Sequence, residues 1–313
     1  IVSTTYGRSS GFCVDPIEKK PLSHFLPGSS VLSFGTAGCN LACKFCQNWD
    51  ISKSREIDKL ASAASPEQVA SMAEQLNCKS IAFTYNDPVI FIEYAIAIAQ
   101  ACRSKNIKTV AVTAAYICPE PRQEFFQYID ATNVDLKAFS EDFYRKITGS
   151  ELQPVLDSLI YIKNHTKTWL EITTLLIPEH NDSTKELTAM CQWIVDNLGT
   201  EVPLHFTAFH PDFKMRDIPT TPLDTLIRAY HIAKKYDIRY VYCGNIHNTA
   251  TSSTYCHQCG DCIIKRDWHT ILDYKLDDHG HCKHCGSLCA GVFSGPVGDC
   301  SGKRTAINIV TKS

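Results

Sequence analysis

The chain has 313 residues, of which 44% are hydrophobic and 20% are charged, enough for one barrel-sized domain with a small appendage. No apolar run approaches the ~20 residues that a membrane-spanning helix needs, so no membrane span is predicted. A formal net charge of -2, with both signs mixed along the chain, leaves no basic face for nucleic acid and excludes that class of partner.

Residues 1–30 are predicted to form an N-terminal flank. The chain begins at Ile1, without Met and without the pattern of a signal peptide, so truncation of this flank stays open. The 16 cysteines cluster at two places in a long chain, which favours metal chemistry in a reducing compartment over disulfides. We therefore expect a cytoplasmic protein.

Downstream of the flank, strand-like runs rich in Val, Ile and aromatic residues alternate with amphipathic helical stretches. Strands are predicted at residues 31–35, 80–85, 108–114, 131–136, 169–176, 203–209 and 238–242. Helices are predicted at residues 65–76, 89–105, 119–126, 153–165, 183–197 and 222–235. Ser65 and Asp87 each precede a Pro, which is typical of a helix N-cap followed by the first helical residue.

Repeated βα units predict an α/β fold with a parallel sheet, closed or partly closed into a barrel, over residues 31–247. Ligands of such sheets lie at the carboxyl ends of the strands. The residues that lie near or after the ends of the predicted strands are Cys39, Cys43, Cys46, Asn86, Asp87, Thr113, Asp135, Lys137, Glu171, Thr173, His210, Gly244 and Asn245. Strand ends also meet ordinary polar loops, so each of these residues alone is equally consistent with a loop position.

The loop after the first predicted strand, "GTAGCNLACKFCQNWD" at residues 35–50, carries three cysteines in a CxxxCxxC pattern. Structural zinc takes four protein ligands and is usually held by CxxC pairs. A 4Fe-4S cluster held by Cys39, Cys43 and Cys46 keeps one iron free to bind a small molecule. The spacing therefore favours an open-iron cluster over zinc or structural cysteines, and Gly35 and Gly38 relieve crowding where the backbone turns.

The CxxxCxxC motif with an aromatic residue before its third Cys, placed after the first strand of a βα series, resembles the radical S-adenosylmethionine (SAM) enzymes. Together with "FTYNDP" and "VDLKAF", the segment "DPIEKKPLSHFLPGSSVLSFGTAGCNLACKFCQNWDISK" more closely resembles the radical SAM member of the AmmeMemoRadiSam system. The resemblance covers nearly the whole chain. It implies a partial (βα)6-type barrel that binds a 4Fe-4S cluster and SAM.

The resemblance also implies roles for single residues. Cys39, Cys43 and Cys46 are the expected cluster ligands, and SAM is reductively cleaved to a 5'-deoxyadenosyl radical that takes hydrogen from an unidentified substrate. The resemblance implies cofactor contacts for Asn86, Asp87 and Thr113, and Glu171, Thr173 and Asn245 are further expected cofactor-binding residues because they stand near the ends of predicted strands. Expected catalytic residues are Asp135, Lys137 and His210, which match positions of glycyl-radical activating enzymes. Asp87 departs from the Glu usual in the family, and helix capping is an equally good explanation for it.

A second cysteine cluster lies in residues 248–313, predicted as a linker followed by a Cys-rich zinc-ribbon or rubredoxin-like domain. Cys256 and Cys259 form one CxxC knuckle, Cys282 and Cys285 form another, and a hairpin-like stretch separates them. Four thiolates suit zinc or a single iron. Cys262 and Cys289 are expected to be bystanders, although CxxCxxC also resembles part of a ferredoxin run and leaves a second cluster open.

Three functions remain open at this stage. The first is a radical SAM enzyme with an unknown substrate, and the second is an activating enzyme that places a radical on a partner protein. The third, of a different class, is a scaffold with a metal ribbon and a vestigial barrel. The resemblance implies as partners SAM, an electron donor such as a flavodoxin or ferredoxin, and Memo-like and AMMECR-type proteins.

Overall fold

The computed structural model describes residues 5–53, 62–295, 297–300 and 304–307. Its strands are β1 (Arg8–Ser9), β2 (Phe12–Pro16), β3 (Ser30–Phe34), β4 (Ser62–Ala63), β5 (Ser80–Phe83), β6 (Lys108–Thr113), β7 (Ala131–Asp135), β8 (Trp169–Leu176), β9 (Leu204–Ala208), β10 (Val241–Gly244), β11 (Thr254–Tyr255), β12 (Cys262–Asp267), β13 (Thr270–Tyr274) and β14 (Thr305–Ile307). The α-helices are α1 (Trp49–Ser52), α2 (Pro66–Gln75), α3 (Ile92–Arg103), α4 (Pro119–Phe126), α5 (Glu141–Phe143), α6 (Gln153–His165), α7 (Thr184–Leu198), α8 (Leu223–Lys235) and α9 (Thr249–Ser252).

The central sheet has nine strands in the order β10-β9-β8-β7-β6-β5-β3-β2-β14. Each pair of neighbours from β3 to β10 is parallel. β2 and β14 extend the sheet antiparallel beyond β3. Within the described residues, β10 and β14 are the two ends of this sheet and do not pair with each other. The parallel strands bring their carboxyl ends to one edge, which is where the loops that carry the predicted site begin.

The α/β alternation of the sequence analysis is confirmed, and local sequence explains most helix starts. Ser65 caps α2 in a capping box with Gln68, and Pro66 occupies the first helical position. The strand predicted at residues 238–242 begins later in the structure. β10 spans Val241–Gly244, and residues 238–240 precede its first paired residue, Val241. β2 and β14 were not predicted as strands.

Two short helices outside the α set lie close to the cysteine loop. Pro88–Phe91 is a 3-10 helix, so the predicted helix after Asp87 begins as 3-10 and becomes α-helical only at α3. Tyr144–Thr148 is a π-helix after α5. π-Helical turns are rare and are often found next to functional sites.

The main core lies between the sheet and its helices and is formed by side chains that are almost entirely removed from solvent. Phe34, Phe83 and Phe91 are fully buried in it, and their rings contact one another. Burying an aromatic side chain contributes ~1.5–3 kcal/mol, so this layer beneath the loop after β3 is a rigid support. None of the helices among the described residues is long and apolar enough to cross a membrane.

The C-terminal module, residues 254–293, contains the antiparallel sheet β11-β12-β13. The predicted hairpin is present as β12 and β13, joined at Trp268, whose φ is 55°. A small core of its own is built around Ile263, Ile264 and Leu276 and also includes Tyr240, which precedes β10, and Tyr242 of β10. The module therefore packs on the end of the sheet next to β10.

Candidate active site

The three cysteines of the CxxxCxxC loop line one cavity, of about 430 Å³, at the carboxyl edge of the parallel strands. Two backbone hydrogen bonds attach the loop to the π-helix Tyr144–Thr148. The Ala42 amide donates to the Thr148 carbonyl at 2.7 Å, and the Lys44 amide donates to the Ile147 carbonyl at 3.0 Å. The π-helix therefore fixes the position of the cysteine loop, because both acceptors lie in its last turn.

Gly35 and Asn86 join the cysteine loop to the loop after β5. A Cβ at Gly35 would lie 2.4 Å from the Thr84 carbonyl oxygen and 2.6 Å from Oδ1 of Asn86, so only glycine fits. Asn86 accepts from the Thr36 amide at 3.1 Å and donates to the Gly38 carbonyl at 2.7 Å. Asn86 lines the cavity, yet its side chain is already engaged in shaping the cysteine loop.

Asp87 lies beside Asn86 and performs the predicted capping. Its carboxylate accepts from the Val89 amide at 3.1 Å, from the Thr113 hydroxyl at 2.8 Å and from the Ala114 amide at 2.8 Å. Burial raises the pKa of Asp87, and these three donors oppose that rise. Asp87 and Thr113 both line the cavity as one hydrogen-bonded unit that joins the ends of β5 and β6.

Asp135 and Lys137 follow β7 and form an ion pair, with 3.0 Å between Lys137 Nζ and Asp135 Oδ2. The Lys137 ammonium lies 5.8 Å from the ring centroid of Phe45, in the cysteine loop. Burial disfavours its charge most strongly, but the Asp135 carboxylate, its hydrogen bond and the nearby Cys43 together outweigh burial and raise the pKa of Lys137. Lys137 is therefore a permanent cation at the cavity. Burial raises the pKa of the Cys43 thiol to about 11, although the positive charge of Lys137 lowers it.

Thr173 and Asn245 also line the cavity, as predicted from their places at strand ends. Asn245 donates to the Ala208 carbonyl at 3.1 Å. The hydroxyl oxygen of Thr173 is buried and has no hydrogen-bond partner within the described residues. A buried hydroxyl without a partner costs ~1–3 kcal/mol, which a polar ligand in the cavity would offset.

Glu171 and His210 are not brought to the cavity, although the sequence analysis expected both there. Glu171 lies two residues before Thr173 on β8, about 7 Å nearer the amino end of the strand. It is fully buried and accepts from the Ser23 and His24 amides at 2.9 and 2.8 Å. Glu171 is thus a structural acceptor beneath the cavity. His210 is exposed at the surface, with Nδ1 3.2 Å from the Pro211 carbonyl oxygen.

The sequence analysis missed several polar residues of the cavity wall, and five of these come from distant parts of the chain. They are Asp15, Lys19, Lys20, Tyr85 and Arg304. Tyr85 directly precedes the predicted Asn86, and its position next to a strand end was a signal that went unused. The other four lie on or beside β2 and β14, the two strands of the central sheet that were not predicted.

The donor set at the cysteine loop fits a polynuclear cluster better than a single ion. A tetrahedral ion with metal–sulfur bonds of about 2.3 Å holds sulfurs about 3.8 Å apart. Among the described residues, the group of ligand atoms lying within 4.8 Å of one another is in the C-terminal module, and Cys39, Cys43 and Cys46 are not part of it. These three thiols, whose sulfurs do not all lie within 4.8 Å of one another, face a shared cavity, which suits a cluster that offers each thiolate its own iron.

The group in the C-terminal module consists of Cys256, Cys259, Cys282 and Cys285. The Cys256 and Cys285 sulfurs are 3.6 Å apart, and those of Cys259 and Cys282 are 3.9 Å apart, close to the separation expected around one tetrahedral ion. Each CxxC pair is followed by a glycine with positive φ, 76° in the first knuckle and 75° in the second. The two knuckles thus share one turn geometry.

Cys262 and Cys289 lie outside this group of four among the described residues. Cys289 is buried, with its sulfur 3.6 Å from Nδ1 of His24. Cys262 begins β12 and pairs with Tyr255.

Comparisons with a family model and with known proteins point to the same family. The sequence model described as "Radical SAM superfamily" matches residues 34–191, about half of the chain. An uncharacterised protein of Methanocaldococcus jannaschii is 36% identical over 282 residues, covering 90% of this chain and 84% of that protein. The pyruvate formate-lyase-activating enzyme of Clostridium pasteurianum is 23% identical over 204 residues, covering 58% of this chain and 80% of that enzyme.

Among solved structures, Streptococcus suis SuiB bound to the precursor peptide SuiA is similar with a TM-score of 0.55. The likeness covers 74% of this chain and 52% of that chain at 15% identity. At this identity the likeness concerns the fold alone.

Proposed function

The chain belongs to the radical SAM superfamily, and from this premise we propose that Cys39, Cys43 and Cys46 hold three irons of a 4Fe-4S cluster whose fourth iron binds SAM. The family assignment makes the protein a radical SAM enzyme, and it implies the cluster, SAM and a reductant. The proposal adds the ligands, a substrate that gives up a hydrogen atom, and a partial-barrel setting. When bound, the cluster supplies one electron to SAM, whose cleavage gives methionine and a 5'-deoxyadenosyl radical.

One observation carries the proposal: three thiols on one loop face a single cavity that also contains the Asp135–Lys137 ion pair. Three thiolates are one fewer than a closed zinc site requires. The Lys137 ammonium lies close enough to Cys43 to favour its thiolate form, since its charge lowers the pKa of that thiol. The chain therefore supplies both the ligands and a cation that helps to balance their charge.

The surrounding residues are proposed to orient SAM and exclude water. Asn86 fixes the cysteine loop through Thr36 and Gly38, and so acts on the cluster through the backbone. The unpartnered Thr173 hydroxyl offers a donor or acceptor for a bound ligand. Asn245, held at the Ala208 carbonyl, stands at the neighbouring strand end. We leave Glu171 and His210 out of the proposed site because of their positions.

A second proposal is that the enzyme activates a partner protein by forming a glycyl radical. It is favoured by the sequence relationship to a pyruvate formate-lyase-activating enzyme. Membership of the AmmeMemoRadiSam system, with Memo-like and AMMECR-type partners, a flavodoxin or ferredoxin as electron donor and a cytoplasmic location, also stays a proposal. So does the division into a flank (1–30), a core (31–247) and a linker with a Cys-rich domain (248–313).

For the C-terminal module we propose a mononuclear metal site with Cys256, Cys259, Cys282 and Cys285 as ligands. The sulfur separations and the matched knuckle turns support it. Both zinc and iron accept four thiolates in tetrahedral geometry. The scaffold alternative predicts a metal at this site alone.

The test is anaerobic purification followed by iron analysis and incubation with SAM and a reductant. We expect brown protein with about four irons at the barrel, and conversion of SAM to 5'-deoxyadenosine and methionine. Cys43→Ala should abolish cleavage while the fold remains. Cys118→Ala is the matched control, because Cys118 is exposed and outside the cavity. Colourless protein that contains only zinc, or full activity in Cys43→Ala, would contradict the proposal.

A further inference from the structure

One wall of the cavity has no part in the proposed cluster and SAM site. It consists of Asp15, Lys19, Lys20, Tyr85 and Arg304, which we call the basic wall. Asp15 pairs with Val31 in the sheet register, three residues before the end of β3 at Phe34. At ~3.3 Å per residue, the wall begins about 10 Å below the strand end from which the cysteine loop departs. Asp15 therefore lies deeper in the cavity than the strand end that carries the thiols, and Tyr85, two residues after the end of β5, contacts it through its hydroxyl.

The basic wall carries more positive than negative charge. Asp15 is its sole carboxylate among the described residues, and it accepts from Lys20 Nζ at 2.7 Å and from the Tyr85 hydroxyl at 3.1 Å. Lys19 is farther away, with 3.7 Å between its Nζ and Asp15 Oδ1. One carboxylate thus faces three cations, and it is already paired with Lys20.

The other carboxylates that line the cavity are engaged elsewhere. Asp135 is paired with Lys137, and Asp87 accepts from Val89, Thr113 and Ala114. Within the described lining, neither contacts the basic wall. Lys20 is buried, and burial lowers its pKa despite Asp15, whereas Lys19 and Arg304 are exposed and have no carboxylate closer than the 3.7 Å between Lys19 and Asp15 among the described contacts. These two exposed cations are therefore available to an anion.

Tyr85 holds the wall in a fixed arrangement. Its φ is 71°, a left-handed conformation that costs a bulky side chain ~1–3 kcal/mol and is typical of functional sites. This backbone directs the ring between two cations, with Lys20 Nζ 5.0 Å and Arg304 Cζ 5.5 Å from its centroid. Arg304 also donates to the Cys13 sulfur at 3.1 Å. Lys20 and Arg304 are therefore positioned before any ligand binds.

We propose that the substrate of this enzyme carries an anionic oxygen group, a carboxylate or a phosphate, that binds between Lys19 and Arg304 at the basic wall. Arg offers paired N–H donors that match either group, and Lys adds a point charge. This inference rests on the proposed function, since it assigns the substrate class of the same cavity. A cavity of about 430 Å³ shared with SAM suits a small anion or a single anionic side chain.

The test measures binding of simple anions to the anaerobically reconstituted protein with excess SAM and no reductant, by calorimetry at low ionic strength. Inorganic phosphate and acetate are the two probes, which distinguish a phosphate from a carboxylate, and acetamide is the neutral control. We expect one of the anions to bind with one-to-one stoichiometry, and more weakly as salt is added. Acetamide should not bind.

Lys19→Gln and Arg304→Gln should each weaken binding of that anion at least about tenfold. Lys185→Gln is the matched control, because Lys185 is an exposed lysine of α7 that does not line the cavity. Lys20 is left intact, since breaking its buried pair with Asp15 would damage the fold. Lys19→Arg should restore binding and shows that the lost charge, not misfolding, explains the loss.

The inference is overturned if neither anion binds more tightly than acetamide, or if Lys185→Gln weakens binding as much as the wall variants do. SAM cleavage by the unaltered protein is measured separately. Cleavage without anion binding refutes this inference and leaves the proposed function standing. Anion binding without cleavage does the reverse.

Discussion

Replacing Glu171 by Gln distinguishes a structural acceptor from a SAM ligand. Each carboxylate oxygen accepts two hydrogen bonds. Oε1 accepts from the His24 amide at 2.8 Å and Trp169 Nε1 at 3.0 Å, while Oε2 lies 2.9 Å from the Ser23 amide and 2.7 Å from His205 Nε2. Burial favours the neutral acid, but His205, His24 and Trp169 together outweigh burial and hold the pKa of Glu171 below its ordinary value.

The amide of Gln offers one acceptor oxygen, so two of the four donors would face an NH2 group. Two buried unsatisfied donors cost about 2–6 kcal/mol, or about 1–3 kcal/mol if His205 changes tautomer and accepts from the new amide. At about 2–4 °C per kcal/mol, the apparent unfolding midpoint should fall by on the order of 10 °C. The affinity for SAM should not change, because Glu171 does not line the cavity.

The assay compares thermal unfolding at a fixed scan rate with calorimetric SAM binding, on protein of equal iron content. Glu124→Gln is the control, because Glu124 is exposed on α4 and its substitution should stay within about 0.5 kcal/mol. An unchanged midpoint together with weaker SAM binding in Glu171→Gln would refute the structural assignment and restore Glu171 as a ligand.

Three further predictions follow from other parts of the structure. Cys259→Ala should lose about one metal per chain and several kcal/mol of stability while barrel iron stays, and Cys118→Ala should lose neither; full metal content would refute the four-thiolate site. Asn86→Ala should cost about 2–4 kcal/mol and lower the iron retained per chain, unlike exposed Asn164→Ala, and equal iron in both would contradict its role in the loop. Burial lowers the pKa of His24 to about 4 from an ordinary 6.5, so the unfolded chain binds more protons below about pH 6.5. Stability should therefore fall by on the order of 1–2 kcal/mol from about pH 6.5 to about pH 5, and His24→Asn should flatten that slope; parallel slopes would exclude His24 as its source.

The parallel part of the fold was predictable because its signals are local. Ser65 and Pro66 define a helix start within four residues, and strands such as β6 are short runs rich in β-branched residues. β2 and β14 carry no such signal. β14 has three residues and pairs with a strand almost 300 positions earlier, a contact that only the assembled chain reveals.

Site residues that follow strand ends were predictable from the sequence. How far the cavity extends along a strand was not. Asn86, Asp87 and Lys137 were found because each follows a parallel strand, and such ends meet at one edge. Glu171 has the same side-chain parity as Thr173 on β8, so the sequence pattern could not tell that the cavity floor lies between them. Its partners, Ser23 and His24, come from the N-terminal flank, and their hydrogen bonds hold Glu171 beneath the cavity while Thr173 lines it.

The same flank links the C-terminal module to the cavity. Arg266 of β12, 2% exposed, donates to the Ser23 carbonyl at 2.7 Å, and the Leu26 amide donates to the Val292 carbonyl at 2.8 Å. His24 lies between both parts, with Nδ1 2.7 Å from the Ala290 carbonyl oxygen and Nε2 2.6 Å from the Tyr242 hydroxyl.

No described residue of the module lines the cavity, so the module acts on it through the position of this segment. Lys19 and Lys20 stand only a few residues before Ser23, on the same stretch of backbone. Because Arg266 and Ser23 are hydrogen-bonded, and Arg266 is buried, a module that loosens when the proposed metal site is emptied would leave polar groups unpaired at this junction. The thiolate site, about 240 residues later in sequence, is therefore expected to stabilise the basic wall without touching it.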